Sequence, residues 1–255
     1  MTDIYRDGTY VKNNPSLHEE DSEYKVRYIR ALLERLRFES DPIRVLDIGG
    51  GAGIVAAQVC RYLSAGGARV ECHAFDLSPD MLAAQRRNNP YLSLATSNFD
   101  QIKAFPGYDL ALLIDVIEHI PENGRMADEV DRLSRYVLYN IPTERNLLDW
   151  LRNIYTGGRY YPLQTASLGH VHFFSAATAR RFVASHHRLR YWLFPDFSGH
   201  VLRAPHPDYV WQRENRLRRA ELSLSRFVYR YLKPIAPYLI QGSLFILADG
   251  RGRQG

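Results

Sequence analysis

A glycine-rich segment near the start of the chain constrains its fold more than any other feature. Residues 45–53 read VLDIGGGAG, so a short apolar run carrying one carboxylate is followed by several glycines. The apolar run predicts a buried strand, and the pattern from Ile54 onward predicts a helix. Glycine lets the backbone adopt positive φ and approach a ligand closely, and the first N–H groups of a helix lack partners within it. The segment therefore predicts a turn that holds a nucleotide-like cofactor.

Two classes of cofactor fit this turn. Residues 51–56 match the G-x-G-x-x-G/A dinucleotide fingerprint, and the acidic Asp76 lies at a suitable distance downstream. Asp47 favours the second class, because a carboxylate at the end of the first strand would repel a pyrophosphate but would attract an ammonium group. S-adenosylmethionine (SAM) has an ammonium group and no phosphate. Asp76 follows the apolar run 70–75, where its carboxylate can accept hydrogen bonds from both hydroxyls of a ribose.

Strand and helix patterns alternate along the chain, which favours a parallel sheet covered by helices. The predicted strands span 44–48, 69–75, 91–95, 108–114 and 136–141, with 188–194 and 243–248 as a final pair; the predicted helices span 23–38, 54–64, 79–88 and 122–133. Asp47, Asp76 and Asp115 each fall at the carboxyl end of a predicted strand. Ligands of open α/β sheets bind at that edge, so we expect the three carboxylates to surround the cofactor.

Three motifs resemble those of the class I SAM-dependent methyltransferases. They are VLDIGGGAG at 45–53, AFDLSPDML at 74–82 and YDLALLIDVIEHIP at 108–121, the last being similar to the ubiquinone-biosynthesis type of small-molecule methyltransferase. The resemblance covers roughly residues 40–141 and implies a Rossmann-like, seven-stranded, mostly parallel α/β sheet with helices on both faces. It also implies SAM as the cofactor, bound by Asp47, Gly49, Gly51, Gly53, Asp76, Leu77 and Asp115.

The resemblance further implies where adenine is recognised. In the family an acidic residue after the third strand commonly meets the adenine amino group, and the matching position here is Asn98. Its side-chain carbonyl can still accept a hydrogen bond from that amine. Phe99 is expected to lie along the base or to pack in the core, and Asp100 replaces Asn98 if the register differs by two residues.

Histidines supply the candidate catalytic base. Methyl transfer to a hydroxyl requires removal of a proton, and histidine titrates near working pH. His170 is the first candidate and His119, near the end of the third motif, the second; alternation along an extended segment would point His172 into the same cleft as His170. A hydrogen-bonded structural ring remains the alternative for each. No metal site is expected, because no carboxylate lies among these histidines at ligand spacing.

The acceptor is predicted only by class. The insertion at 142–170 and the N-terminal segment are rich in tyrosine, asparagine and arginine, and Tyr10, Tyr160 and Tyr161 are the candidate acceptor contacts. Aromatic and amide groups stack on and hydrogen-bond polyhydroxylated rings, so we expect methylation of a hydroxyl on a small or glycosylated molecule. A surface lid is the structural alternative. The functional alternatives are N-methylation of an amino sugar, a nicotinamide-dependent oxidoreductase and a non-catalytic SAM-fold binding protein.

A basic segment precedes the last predicted strand. Residues 201–233 contain eight basic and three acidic residues, a surplus that equals the net charge of +5 of the whole chain. Arginines at 216, 219, 226 and 230 repeat at helical spacing beside an apolar stripe. This pattern is typical of a helix that lies on an anionic membrane, here over 211–233, and equally of a helix packed on its own domain with a solvated face. Aromatics do not alternate with Lys or Arg, so a nucleic-acid partner is not expected.

Composition and length indicate one globular domain over 1–255. The chain is 45% hydrophobic and 24% charged, without an apolar run of the ~18 residues that span a bilayer. We expect an N-terminal cap segment at 1–40, a cofactor-binding core at 41–195 with the lid insertion at 142–170, a basic helical insertion at 196–242, and the last strand and tail at 243–255. The N-terminus lacks the apolar core of a signal peptide, which predicts a cytoplasmic protein with a small-molecule acceptor as its partner. The two cysteines predict neither a disulfide framework nor a zinc site.

Overall fold

The computed structural model describes residues 21–252 and contains a seven-stranded sheet. The strands are β1 (Ile43–Ile48), β2 (Val70–Phe75), β3 (Leu92–Thr96), β4 (Tyr108–Ile114), β5 (Ser134–Thr143), β6 (Arg188–Leu193) and β7 (Gly242–Asp249). Their order across the sheet is β3-β2-β1-β4-β5-β7-β6. β1 to β5 pair in parallel, whereas β7 is antiparallel to both β5 and β6. The sheet confirms the predicted fold class.

Helices cover the sheet within the described residues. They are α1 (Ser22–Leu33), α2 (Ile54–Ser64), α3 (Pro79–Asn88), α4 (Phe99–Lys103), α5 (Asn123–Leu133), α6 (Leu147–Tyr155), α7 (Tyr160–Leu168), α8 (Ala176–His186), α9 (Phe197–Val201), α10 (Pro207–Glu214), α11 (Arg216–Tyr231) and α12 (Ala236–Leu239). Local sequence sets several of their starts: the Ser78 hydroxyl accepts from the Met81 N–H, and Ser175 forms a reciprocal capping box with Thr178.

Two apolar clusters pack the central strands into the interior. Leu46, Ile48 and Leu113 belong to one cluster, while Val45 and Leu112 belong to the other. Successive residues of a strand point to opposite faces, so both faces of the sheet are buried. This burial explains why β1 and β4 read as nearly continuous apolar runs in the sequence.

The strand order reverses between β1 and β4, since β2 follows β1 on one side and β4 lies on the other. At such a reversal the connections leave in opposite directions and open a crevice outside the carboxyl ends of the strands. The glycine turn after β1 and the segment after β4 both begin at this crevice. None of the helices within 21–252 is both long enough and apolar enough to cross a bilayer.

Candidate functional site

A cavity of about 330 Å³ lies at the carboxyl ends of β1 and β4. Among the described residues, α1 contributes Ser22, Tyr24 and Lys25 to its walls, and the β1 region contributes Asp47, Gly49, Gly50 and Gly51. Asp115, Glu118 and His119 follow β4. The remaining wall residues include Asn140, His170, Phe197, Gln212, Arg218 and Gln241. The structure therefore brings Asp47, Asp115, His119 and His170 together, as the sequence predicts. The contributions of α1, Glu118 and the later segment were not predicted.

The glycines of the turn serve different purposes. Gly51 has φ of +55° and open space where a side chain would stand, so the backbone faces the cavity without obstruction. A Cβ on Gly53 would lie 3.0 Å from the Cα of Gln85, so this glycine allows α2 and α3 to pack closely. A Cβ on Gly50 would overlap the Asp47 carboxylate at 1.8 Å. Gly50 thus leaves room for the Asp47 side chain, a role that was not predicted.

Asp47 is a buried carboxylate that forms no ion pair with another residue of the segment 21–252. The residue is 3% exposed, and burial together with the nearby Asp76 raises its pKa to about 7. Burial penalises the ionised form, and a second carboxylate adds to the penalty. A positively charged ligand group would offset both effects, so the position is suited to bind an ammonium ion.

Asp76 lies at the end of β2 and is oriented by its neighbours. Its Oδ1 accepts from the Ser78 N–H at 2.9 Å, and the Gln85 amide spans from its Oδ2 to the Gly51 carbonyl. Burial raises the pKa of Asp76 to about 6, although the N–H groups of Ser78 and Leu77 oppose that rise. Asp76 is therefore held at the glycine turn with a carboxylate that is costly to leave without a further partner.

The predicted adenine contacts lie on the β3 side of this turn. The Asn98 carbonyl caps α4 by accepting from the Asp100 N–H at 3.0 Å, and Phe99 packs edge-on against Phe75. Leu77 is 40% exposed. These side chains and Asp76 are not part of the cavity wall, so the structure places the predicted cofactor contacts in two adjoining regions joined by the turn.

Asp115 ends β4 in a strained conformation and is held from two sides. Its φ is +56°, its Oδ2 lies 2.8 Å from the Lys25 ammonium, and its Oδ1 accepts from the Asn140 amide at 2.7 Å. Positive φ in a residue with a side chain is uncommon and is concentrated at functional sites. The two contacts fix the carboxylate at the cavity wall.

His170 forms a buried pair with Glu144, which was missed in the sequence. The His170 Nδ1 lies 2.8 Å from the Glu144 Oε2, and the two residues are 6% and 2% exposed. If Nδ1 donates to the carboxylate, the neutral ring presents Nε2 as an acceptor. The His119 ring lies edge-on at 4.7 Å from the His170 ring. A histidine oriented by a carboxylate is the arrangement that general bases use.

Glu118 extends this cluster. It is 1% exposed, and neither of its carboxylate oxygens has a hydrogen-bond partner within residues 21–252. Burial, together with Asp115 and Glu144, raises its pKa well above the ordinary value. A protonated Glu118 could donate a hydrogen bond into the cavity.

The structure contradicts the expectation that no carboxylate lies among the candidate histidines. Glu118 does lie among the histidines: its Oε1 is 3.8 Å from the His119 Nε2, and one ligand atom each of Glu118, His119 and His170 fall within 4.8 Å of one another. Donor atoms around one zinc ion are closer, roughly 3.3 Å apart for bonds of about 2 Å. The three side chains would have to move closer to one another to share such an ion.

Other predicted residues lie elsewhere. His172 does not share the cleft of His170: its Nε2 is 3.0 Å from the Ile120 carbonyl, and it is not part of the cavity wall. Tyr160 donates to Asp149 and Tyr161 to the Glu144 carbonyl, so both hydroxyls are used within the protein rather than facing the cavity. Tyr10 lies outside the described residues.

Comparison with known proteins identifies the family. Residues 19–201 match the profile of a family described as "Methyltransferase domain". No curated protein sequence matches the chain. Among solved structures, the [4+2]-cyclase SpnF is 15% identical over 88% of this chain and 81% of its own, with a TM-score of 0.51.

Two further structures show the same fold. The plantazolicin methyltransferase BamL, solved with a triazolic desmethylPZN analogue and SAH, is 14% identical over 96% of this chain and 89% of its own, with a TM-score of 0.50. A chain in the complex between the Haloferax volcanii Trm112 methyltransferase activator and a methyltransferase is 16% identical over 93% of this chain and 94% of its own, with a TM-score of 0.54. At these identities the structures establish the fold alone. The family match covers well over half of the sequence, so the chain belongs to the methyltransferase domain family and is a SAM-dependent methyltransferase of class I.

Proposed function

We propose that this protein transfers the methyl group of SAM to a hydroxyl of a small-molecule acceptor, with His170 as the general base. The observation that supports the proposal most is the buried His170–Glu144 pair at the wall of the cavity. Glu144 holds the ring, and Nε2 is then the atom that accepts the proton. The acceptor class, a sugar or natural product, rests on the sequence and on polar side chains in the cavity wall such as Asp115, Glu118 and Asn140.

The residues around the glycine turn fit the cofactor. Asp47 would bind its ammonium group, the open backbone at Gly51 would allow close approach, and Asp76 would accept hydrogen bonds from the ribose hydroxyls. Asn98 and Phe99 remain the proposed adenine contacts, with Leu77 beside them. When bound, SAM supplies an electrophilic methyl group on a sulfonium.

The protein's own contribution is to place the acceptor and to remove its proton. A hydroxyl held beside His170 would give its proton to Nε2 as its oxygen accepts the methyl group. Proximity lowers the barrier because the acceptor and the methyl group are held together. Asp115 and a protonated Glu118 are suited to bind other hydroxyls of the acceptor.

N-methylation of an amino sugar is the nearest rival. The carboxylates of Asp115 and Glu144 lie close enough to Glu118 to raise its pKa. A cluster of three carboxylates would also attract a cationic amine. An amine that is already neutral at working pH needs no base. The two reactions therefore differ in how strongly they depend on His170.

The test is to measure SAH release with a panel of hydroxylated and aminated sugars. For a hydroxyl acceptor, His170→Ala should lower kcat by about 10² to 10⁴ while SAM affinity, measured by calorimetry, stays near that of the native protein. Glu144→Gln should lower kcat less and leave KM nearly unchanged, since the ring loses its orienting partner but keeps Nε2. Full activity of His170→Ala on a hydroxyl acceptor would refute the base role.

A further inference from the structure

Helix α6 is amphipathic, but its apolar side faces outward. Leu147, Trp150, Leu151 and Ile154 follow the i, i+3, i+4, i+7 pattern that marks one side of a helix, and each is about half exposed, from 47% to 57%. Tyr155, at the end of the helix, is 92% exposed. A helix of a single domain normally buries such a stripe, so this one has no partner among the described residues.

The polar side of α6 is fixed in the interior. Asp149 is fully buried and accepts hydrogen bonds from Arg152, Tyr160 and Asn146. Arg152 also bonds the Gln241 side chain and forms an ion pair with Glu221 of α11. Turning the helix to bury its apolar stripe would break this network and leave buried charges unpaired. The outward orientation is therefore specified by the sequence.

Helix α11 has the same property. It packs through Leu222 and Ser225, which are buried, whereas the apolar stripe noted in the sequence points outward. Leu217 is 84% exposed, and Leu224, Phe227 and Tyr231 are 55% to 62% exposed. The helix packs on its own domain through a side different from this stripe.

The two helices are neighbours in the fold. The ion pair between Arg152 and Glu221 joins α6 to α11, and α12 contacts both helices. α12 and the residues before it add the exposed Leu232, Ile235 and Tyr238. We call the outward side of α6, α11 and α12 the apolar–basic face.

The basic component lies beside the apolar stripe of α11. On a helical projection Arg219, Arg226 and Arg230 form a row beside Phe227, and Tyr231 and Leu224 follow further round the exposed side. These three arginines form no ion pair within residues 21–252, and the one acid of α11, Glu221, is already paired with Arg152 and Arg218. The face therefore presents uncompensated positive charge together with aliphatic and aromatic side chains.

We infer that the apolar–basic face binds the surface of an anionic membrane. Leucine, isoleucine, tryptophan and tyrosine side chains can enter the boundary between headgroups and acyl chains, while adjacent arginines pair with anionic headgroups. A nucleic acid would use the arginines but would leave the aliphatic side chains exposed. A second copy of this chain would bring the same arginine rows together and would be opposed by their charge.

This surface lies next to the candidate site. Gln212 of α10 and Arg218 of α11 contribute to the cavity wall. Docking through α11 would place the membrane on the outer side of a helix whose inner side forms part of that wall. The binding inference does not depend on the proposed reaction, and its test requires no turnover.

The experiment measures flotation of the native full-length protein with vesicles. One set contains phosphatidylcholine alone, and the other adds roughly 30% phosphatidylglycerol; each is tested from about 50 mM to about 500 mM salt. We expect binding to the anionic vesicles at low salt, release as salt rises, and little binding to the neutral vesicles. Absence of binding to anionic vesicles at low salt would overturn the inference.

Matched variants locate the surface. Arg219, Arg226 and Arg230 changed together to Gln should weaken binding about 10²-fold, at about 1 kcal/mol per residue. The control changes Arg61, Arg87 and Arg181, on α2, α3 and α8, to Gln; it removes the same charge and should bind as the native protein does. Equal weakening in both variants would show attraction by net charge alone and would contradict a defined face.

The apolar component has its own readout. Trp150 fluorescence should shift to shorter wavelength on binding, and Leu224→Ser with Phe227→Ser should weaken binding without changing the melting temperature by more than a few degrees, since both side chains are exposed. A variant with Trp192→Phe and Trp211→Phe removes the tryptophans of β6 and α10 and should keep the shift. If the native protein is instead a dimer, and the two serine substitutions convert it to a monomer, the face is a self-association surface and the membrane inference fails.

Discussion

Cofactor affinity should rise between about pH 6 and about pH 7.5 because Asp47 must be ionised to bind an ammonium group. Burial, aided by Asp76, raises the pKa of Asp47 to about 7 in the unliganded protein. Burial likewise raises the pKa of Asp76 to about 6. At the lower pH each group holds a proton, and the cofactor must displace that proton when it binds. Protonation therefore competes with the cofactor. Affinity for the cofactor therefore falls as the pH falls through these two pKa values.

The magnitude follows from the ionised fractions. With a pKa of about 7, Asp47 is ionised in about one molecule in eleven at pH 6 and in about three in four at pH 7.5, an eightfold change. Asp76, with a pKa of about 6, adds about a factor of two. We therefore expect the dissociation constant of SAH to be about 10- to 20-fold larger at the lower pH.

Calorimetry with SAH in two buffers of different ionisation enthalpy measures both the affinity and the protons released. Native protein should release protons on binding at about pH 6 and almost none at about pH 8. Asp47→Asn should bind weakly at every pH and keep only the twofold dependence from Asp76. Equal affinity at the two pH values, or a full pH dependence in Asp47→Asn, would refute the assignment of Asp47 to the ammonium group.

Other substitutions test separate parts of the structure. Gly50→Ala should weaken SAH binding by about tenfold or more, as measured by calorimetry, because its Cβ would overlap the Asp47 carboxylate at 1.8 Å. Asp76→Ala should abolish most cofactor binding, at about 1.5 to 3 kcal/mol for each ribose hydrogen bond lost; unchanged affinity would exclude the ribose role. Asp149→Ala should lower the free energy of unfolding by about 3 to 5 kcal/mol in denaturant titrations, because Arg152 loses its buried partner. A loss under about 1 kcal/mol would show that solvent replaces that carboxylate.

The parts of the fold that were predicted correctly from the sequence are those determined by residues close together in the chain. The helix 54–64 and the strand 108–114 have the predicted bounds, because a glycine turn starts the helix and a continuous apolar run forms the central strand. The order of Asp47, Asp76 and Asp115 along the chain was enough to place them at one edge, since parallel strands share their carboxyl ends. Bounds were not predicted for helices α6 to α10; α6, α7, α9 and α10 lie in segments assigned as insertions, whereas α8 lies in the predicted core.

The parts of the site that were missed depend on contacts between distant residues. Glu144 follows the predicted strand 136–141 with no motif around it, and its role becomes visible only because the chain returns 26 residues later with His170. Lys25 reaches Asp115 from α1 across a larger interval. Glu118 is adjacent to His119 in the sequence, and the available signal was a further carboxylate within a largely apolar motif. Such a residue is either paired or functional, since burial of a charge is costly.

The orientation of α6 and α11 shows a more general limit. Hydrophobic periodicity reports that a helix has an apolar side, but not whether that side meets the core, a partner or a lipid surface. In α11 the small buried contact through Leu222 and Ser225 determines the orientation, and in α6 the buried Asp149 determines it. A buried carboxylate with matched donors specifies rotation about the helix axis more strictly than an apolar stripe does, because a wrong rotation leaves a charge unpaired. In the sequence, Asp149 and Arg152 occupy the side opposite Trp150 and Ile154, and their mutual pairing is what turns the apolar stripe outward.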